Sequence, residues 1–277
     1  MTRTALTIAG SDPSGGAGVQ ADLKSFHAHG VYGMAALALL TAQNTRGVFG
    51  VQLVAPALLH DQIRVLFEDM PPHAIKTGAL GGPAQVEAVA EALSPRMERR
   101  PLVVDPVCLS KSGASLLDEA GRRAMLERLM PLATLVTPNL DEAAWLLGRS
   151  LRTPAEIADA GRAFVGLGAR AALIKGGHRE GDPIDVLCTA DGSHELHAAR
   201  IATRNTHGVG CSLSASICAW LARGEGLLDA CRAAKRWISE AISSAPGLGG
   251  GHGPVNHFAS VPQIGEFASD PTRSPVH

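Results

Sequence analysis

The chain has 277 residues, 45% of them hydrophobic, with 25 Lys and Arg against 26 Asp and Glu and a formal net charge of −1. That length supports one large α/β core, and the balanced charge excludes the basic surface that nucleic acid or an anionic membrane demands. Aromatic residues make up only 4% of the chain, too few for a base-stacking platform, so any phosphate handling must be local.

In chain order, the apolar run at 4–9 predicts a buried strand, followed by turn residues at 10–16 and a helix over 19–29. This first run meets Asp12-Pro13 too soon for a signal peptide, and the longest apolar stretch, 34–40, is far below membrane-spanning length. Strands are expected at 35–40 and 48–54, then a helix at 56–68 that opens on Pro56. A short strand at 74–76, a helix at 83–93 and a strand at 102–105 follow. Next come a helix at 116–130, a strand at 134–136, and helices at 140–147 and 154–167. Strands at 171–175 and 184–189 precede two closing helices at 211–223 and 227–244. Strands alternating with helices predict an α/β fold with a doubly wound, mostly parallel sheet. No linker or repeat divides the chain, so 1–258 reads as one domain and 259–277 as a poorly ordered tail. Five widely spaced cysteines, 108, 188, 211, 218 and 231, form no CxxC pair. They fit free thiols in a reducing cytoplasm better than disulfides or zinc.

In open α/β sheets ligands bind beyond the carboxyl ends of the strands, and the polar residues of this chain collect there. Gly10-Ser11-Asp12, Gln43-Asn44, Lys76-Thr77-Gly78, Asp105-Pro106, Thr137-Pro138-Asn139 and Lys175-Gly176-Gly177-His178 each follow an expected strand. Gly16-Ala17-Gly18-Val19-Gln20-Ala21 matches a dinucleotide fingerprint, but no Asp or Glu stands between Asp22 and Asp61 to take the ribose, so that reading fails. Asn139-Leu140-Asp141-Glu142 reads either as a helix capping box or as a magnesium site in which Glu142 acts through water. Lys175-Gly176-Gly177 is either a solvated turn or a cation beside a nucleotide. Lys235 has an ordinary reading as an exposed helical lysine, whereas Asp105, closing a Leu-Val-Val strand, should face the crevice.

The most informative stretch is Asn205-Thr206-His207-Gly208-Val209-Gly210-Cys211. A glycine turn entering a helix presents several backbone N–H groups, and the peptide dipoles favour an anion there. Cys211 sits in the first turn, where that field is expected to favour its thiolate.

These motifs together resemble the hydroxymethylpyrimidine/phosphomethylpyrimidine kinases of thiamine biosynthesis. The resemblance runs from Ala9-Gly10-Ser11-Asp12-Pro13-Ser14-Gly15-Gly16-Ala17-Gly18 and Ala42-Gln43-Asn44-Thr45 through Val104-Asp105-Pro106-Val107 and Lys111-Ser112-Gly113. It continues to Asn205-Thr206-His207-Gly208 and Gly251-His252-Gly253-Pro254, covering residues 4–258. It implies a ribokinase-like three-layer α/β/α fold. It also implies a cytoplasmic enzyme that uses ATP and Mg²⁺, with a monovalent cation as a further candidate. Its substrate would be 4-amino-5-hydroxymethyl-2-methylpyrimidine, carried to the monophosphate and then to the diphosphate. Residue by residue, it implies Cys211 as the catalytic group and Gly208, Val209 and Gly210 as the anion hole. Gly10, Asp22, Gln43 and Ala79 would hold the pyrimidine, with Asp22 near the hydroxymethyl group. Asp105, Lys175, Thr206 and Lys235 would surround the ATP phosphates, and Asn139 with Glu142 would lie near Mg²⁺. A homodimer is also implied, although no exposed apolar stripe legible in the sequence carries it.

Val209 stands where the family usually has Thr or Ala, Ser212 where Thr is common, and Ala79 where some relatives carry Met. Where related sugar kinases place an aspartate, this chain has Cys211. A fixed anion there repels an acceptor that is already a phosphate, by roughly 4 kcal/mol at 4 Å and an effective dielectric near 20. A thiol can be uncharged for that acceptor. The rivals are a pyridoxine or pyridoxal kinase of the same superfamily and a pyrimidine-binding sensor without catalysis. Gln43-Asn44 favours an aminopyrimidine, because an amide can bond a ring nitrogen and an exocyclic amine together.

Overall fold

The computed structural model describes residues 2–98, 100–108, 117–177 and 182–263. Lys111-Ser112-Gly113, His178 and the tail from 264 onward lie outside the described residues. The strands are β1 (Thr4–Ser11), β2 (Tyr32–Asn44), β3 (Gly47–Leu53), β4 (Ala74–Thr77) and β5 (Leu102–Val104). They continue with β6 (Leu135–Val136), β7 (Ala171–Ile174), β8 (Asp185–Thr189) and β9 (Gly192–Leu196). The helices are α1 (Gly18–Ala28), α2 (Pro56–Asp69), α3 (Pro83–Leu93) and α4 (Glu119–Ala124), then α5 (Leu140–Leu147), α6 (Pro154–Gly166), α7 (Val209–Ala222) and α8 (Leu227–Ser243).

The nine strands form one sheet in the order β3-β2-β1-β4-β5-β6-β7-β8-β9. From β2 through β7 the neighbours are parallel, and β3, β8 and β9 add antiparallel edges. The interior strands are short apolar runs with every residue of β4 and β5 buried, as a sheet covered on both faces requires. Alternation sends Leu102 and Val104 into one core, with Leu59, Ile63, Val86 and Phe164 of the helices above. It sends Val103 into the other, around Phe26, Ile217, Trp220 and Trp237 of α1, α7 and α8. The core on this second face includes Ala259, whose carbonyl accepts the Trp237 indole N–H at 3.2 Å.

Three local differences from expectation have physical causes. The helix expected at 116–130 is regular only over Glu119–Ala124, then widens through Met125–Leu129 and tightens through Met130–Leu132. Pro131 cannot donate, and its ring crowds the carbonyl four residues back. Strand β9 carries no apolar alternation and is exposed except at Leu196; its signal is the hairpin pair Asp191-Gly192. Strand β2 runs to Asn44, pairing antiparallel with β3, so Gln43 lies on a strand and not in the loop after one. This hairpin leaves Leu40, Phe49, Val51 and Leu53 exposed, Phe49 by 72%.

Helix α7 is held in place by buried polar pairs. His29 donates from Nδ1 to the Ser25 carbonyl at 2.7 Å, which leaves Nε2 to accept the Ser216 hydroxyl at 2.8 Å. Its ring stands edge-on to Trp220 and Trp237. The Ser212 hydroxyl pairs with His257 Nε2 at 3.0 Å. Burial pushes both imidazoles down to about 4, with Arg223 adding to the effect at His29 and Lys24 at His257. The unfolded chain therefore takes up protons that the native state refuses, from the ordinary histidine value near 6.5 down to about 4. The stabilisation is full above pH 6.5 and is lost as pH falls through that window. The melting temperature should decline steadily from pH 6.5 to 4, and His29→Gln should flatten the decline. An unchanged slope in that variant contradicts the assignment.

Candidate functional site

The carboxyl ends of β1, β2, β4, β5 and β7 meet the N-terminus of α7. Gly208 caps that helix with φ 74°, a left-handed conformation suited to glycine. Its α-carbon lies hard against the glycine-rich loop: a Cβ on Gly208 would stand 1.7 Å from the Gly16 carbonyl oxygen. The Thr206 carbonyl closes the turn by accepting the Val209 N–H at 3.4 Å. Gly210 faces the charged part of the cleft, since a Cβ there would lie 3.2 Å from Lys175 Nζ and 3.9 Å from Asp105 Oδ2.

Asp105 and Lys175 form an ion pair at 2.9 Å across the ends of β5 and β7. Burial disfavours the Asp105 charge, but Lys175 and then Lys76 outweigh it and hold the carboxyl below its ordinary range. Asp105 Oδ1 also accepts the Thr137 hydroxyl at 3.3 Å. Its Oδ2 is buried without a hydrogen-bond partner among the described residues, an arrangement that calls for a ligand. Asn139 bridges to Lys175 through the backbone, so the α5 N-terminus joins the same cluster. Asn139 and Glu142 do form the capping box, each side chain bonded to the other's backbone N–H at 2.8 Å. Burial pushes the Glu142 carboxyl up to about 7 against the pull of Lys175, with Asp105 adding to the rise. One residue pair therefore caps a helix and also puts a readily protonated carboxyl beside the ion pair.

Cys211 corrects the expectation of a favoured thiolate. Burial pushes its thiol up to about 11; Lys76 opposes that rise, while Asp105 and Asp22 add to it. A helix dipole equivalent to roughly half a charge does not overcome desolvation together with two carboxylates. The resting group is a neutral thiol.

Two further residues differ from expectation. Asp22 is fully buried, with its carboxylate bonded to Lys76 Nζ at 2.9 and 3.1 Å and to the Thr7 hydroxyl. It supports Lys76 from beneath and presents no surface to a substrate. Burial disfavours the Lys76 charge, but Asp22, and then Cys211 and Asp105, keep the ammonium protonated. Lys235 is buried, and its ammonium binds Asp185 at 2.6 Å and the Pro183 carbonyl at 3.2 Å. Asp185 in turn accepts the Gly176 N–H at 2.9 Å. Lys235 thus anchors the turn that carries Lys175 and has no free charge for a phosphate.

On the other side of the cleft, Gln43 accepts the Thr41 hydroxyl at 3.2 Å and turns its amide nitrogen to within 3.5 Å of His207 Nε2. Gly10 lies at the buried end of β1, its carbonyl packed beneath Gly18. Ala79 is half-buried just beyond β4. Sequence reasoning put Asp12 and Lys76 at the crevice and His207 in the glycine turn without giving them a role, and it missed Asp185. Asp12 accepts from the Ser14 N–H and hydroxyl, the Ala17 N–H and, at 2.7 Å, His207 Nε2. Its signal was its position in Ser11-Asp12-Pro13-Ser14, a loop-folding Asx pattern.

The arrangement can receive a phosphate at the α7 N-terminus, hold a cation against Asp105, and bring a thiol to an acceptor beside Gln43. Known proteins resemble the chain over most of its length. Residues 12–256 match the phosphomethylpyrimidine kinase family. The chain is 44% identical over 266 residues to a Staphylococcus aureus protein named hydroxymethylpyrimidine/phosphomethylpyrimidine kinase, covering 95% of this chain and 96% of that one. It is 45% identical over 260 residues to the thiamine biosynthesis bifunctional protein ThiED of Geobacter sulfurreducens. That match covers 94% of this chain, which spans about half, 53%, of the Geobacter protein. Among solved structures, an ADP complex of Bacillus subtilis pyridoxal kinase is similar, with TM-score 0.85 and 35% identity over 94% of this chain and 98% of that one. With its mostly parallel sheet between helical layers, this ribokinase-like chain belongs to the phosphomethylpyrimidine kinase family.

Proposed function

We propose that the chain uses ATP to phosphorylate 4-amino-5-hydroxymethyl-2-methylpyrimidine to its monophosphate and then phosphorylates that product to the diphosphate, as a step of thiamine biosynthesis in the cytoplasm. The observation that carries this reading is the placement of Cys211 in the first turn of α7, with Gly210 against the Asp105–Lys175 ion pair. The names of the relatives support the substrate, and the ADP complex of the Bacillus protein supports ATP as the donor.

In the first step the Cys211 thiol gives up its own proton to solvent, the substrate hydroxyl attacks the γ-phosphorus while the bond to the ADP oxygen breaks, and the hydroxyl proton passes to the thiolate sulfur, which restores the neutral thiol. Lys76 opposes the effect of burial and makes the thiolate attainable for that proton. In the second step the acceptor is a phosphate monoester, which is largely dianionic at pH 7 and needs no base. The thiol then stays neutral and does not repel it. Backbone N–H groups at Gly208, Val209 and Gly210 neutralise the transferred group in both steps, and Lys175 does so from the β7 end. No helix among the described residues is long and apolar enough to cross a membrane.

The residues fit a magnesium ion. Asp105 Oδ2 is a buried carboxylate oxygen without a hydrogen-bond partner among the described residues, and Glu142 supplies a second carboxyl close by. Mg²⁺ takes few protein carboxylates and keeps its waters. When bound, it would neutralise phosphate oxygens, with Asp105 and Glu142 holding it directly or through water.

A second reading, a pyridoxal kinase, draws on the Bacillus structure. Gln43 favours the aminopyrimidine, because its amide pairs with a ring nitrogen and an exocyclic amine that pyridoxal does not offer together. The assembly we propose is a homodimer that covers the exposed apolar residues Phe49, Val51 and Leu53 of β3.

Product-resolved kinetics test the chemistry. Cys211→Ala should slow the first phosphorylation by roughly 10²–10⁴-fold and the second far less; equal losses would remove the base role. Cys211→Asp should retain part of the first step and lose the second, and robust diphosphate formation by that variant refutes the repulsion argument. Lys175→Ala should raise the KM for ATP or lower kcat in both steps, and unchanged kinetics would return Lys175 to a structural part. Sedimentation should find a dimer that Phe49→Asp converts to monomer; a dimer unmoved by Phe49→Asp places the interface elsewhere.

A further inference from the structure

We infer that His207 is a positioning residue that fastens the glycine-rich loop to the phosphate cradle. The inference rests on the proposed reaction for its kinetic consequences. The latch itself stands on contacts at His207 that join three separate segments, its own turn, the 12–17 loop and the C-terminal loop. Its Nε2 donates to Asp12 Oδ2 at 2.7 Å, across 195 residues of chain. Asp12 is only 2% exposed, and its carboxylate also gathers the Ser14 and Ala17 amides, so it is fixed in the 12–17 loop. The His207 backbone N–H donates to the Gly253 carbonyl at 3.0 Å, tying the turn to the C-terminal loop.

The packing around the ring leaves no freedom. A Cβ at Gly16 would meet His207 Cδ2 at 2.4 Å, and one at Gly208 would meet the Gly16 carbonyl at 1.7 Å. The ring and the following α-carbon therefore clasp Gly16 from two sides. His207 directly precedes the residue that opens the anion hole, so a rotation of its backbone swings the amides of Gly208, Val209 and Gly210. Burial disfavours the Asp12 charge, but His207 and Ser14 outweigh it and hold that carboxyl below its ordinary range. The latch is a charged, dry hydrogen bond of the stronger kind. Residues held this way keep a site within the narrow tolerance that phosphoryl transfer by positioning requires.

The test uses the full chain in His207→Leu, His207→Gln, Asp12→Asn and the double variant His207→Leu/Asp12→Asn. Gln carries an N–H that can reach Asp12, whereas Leu keeps bulk without a donor. His207→Leu should lower kcat by roughly tenfold to a hundredfold. His207→Gln should recover most of the loss. The double variant should be no worse than the poorer single variant, because both remove one bond. Hydrogen exchange read by mass spectrometry should accelerate in the 205–213 peptide of His207→Leu and return toward wild type in His207→Gln. Unchanged exchange in His207→Leu, no rescue by Gln, or losses that multiply in the double variant would each overturn the latch. Because exchange needs no turnover, a wild-type chain that phosphorylates no pyrimidine would fail the proposed function while the exchange results still judged the latch.

Discussion

The carbonyl oxygen of Gly16 occupies the space that any side chain on Gly208 would need. This backbone contact brings the glycine-rich loop after β1 onto the first turn of α7, and the rest of the site depends on it. It permits Asp12 to reach His207, closes the cleft around Cys211, and aims the helix amides at the ends of the parallel strands. Glycine at 208 also supplies the left-handed backbone that turns the chain into the helix. A side chain would both strain the turn and separate the two loops.

A dry cleft changes what the α7 N-terminus does to a thiol. In water, helix amides near a cysteine favour its thiolate. Here Asp105 and Asp22 share the cleft with Cys211, and the sulfur is desolvated, so the neutral form wins. The positive field remains available to an incoming phosphate, which brings its own charge. Two lysines, Lys76 fully buried and Lys175 mostly so, set this balance. Lys76, paired with Asp22, opposes the rise of the Cys211 thiol, and Lys175, paired with Asp105, lies beside Gly210. Buried ion pairs of this kind are weak contributors to stability but strong determinants of local charge. A third pair, Lys235 with Asp185, works at one remove by bonding the Gly176 amide.

Much of this was legible in the sequence because it follows from local chemistry. Short apolar runs ending in Asp105 or Lys175 mark parallel strands that point their polar ends at one crevice, and Asn139 with Glu142 spells its capping box outright. The turn at Gly208 announces itself by glycine spacing. Features set by tertiary partners were not legible. Nothing local to Ala74-Ile75-Lys76-Thr77 says that the lysine is fully buried, since its partner is on α1. Lys235 reads as a surface residue until β8 places Asp185 against it. The Asp12–His207 bond joins residues nearly two hundred positions apart. The thiol's charge state depended on how many carboxylates share its cavity, which no spacing reveals. Strand β9 was missed for the opposite reason: its Asp191-Gly192 turn was legible, but its polar residues hid the strand behind it.

The central claim is that Cys211 rests as a neutral thiol inside an anion cradle. The most direct test is the pH dependence of its alkylation by iodoacetamide, followed at the Cys211 peptide by mass spectrometry in the free enzyme. The other four cysteines are buried while Cys211 is partly exposed, so its peptide reports the site. The account predicts that reactivity is low at neutral pH and rises with a midpoint near the value of about 11 set by burial and the two carboxylates. A midpoint at or below the ordinary cysteine value of roughly 8.5 would contradict it, and would make the α7 N-terminus a site for a standing thiolate.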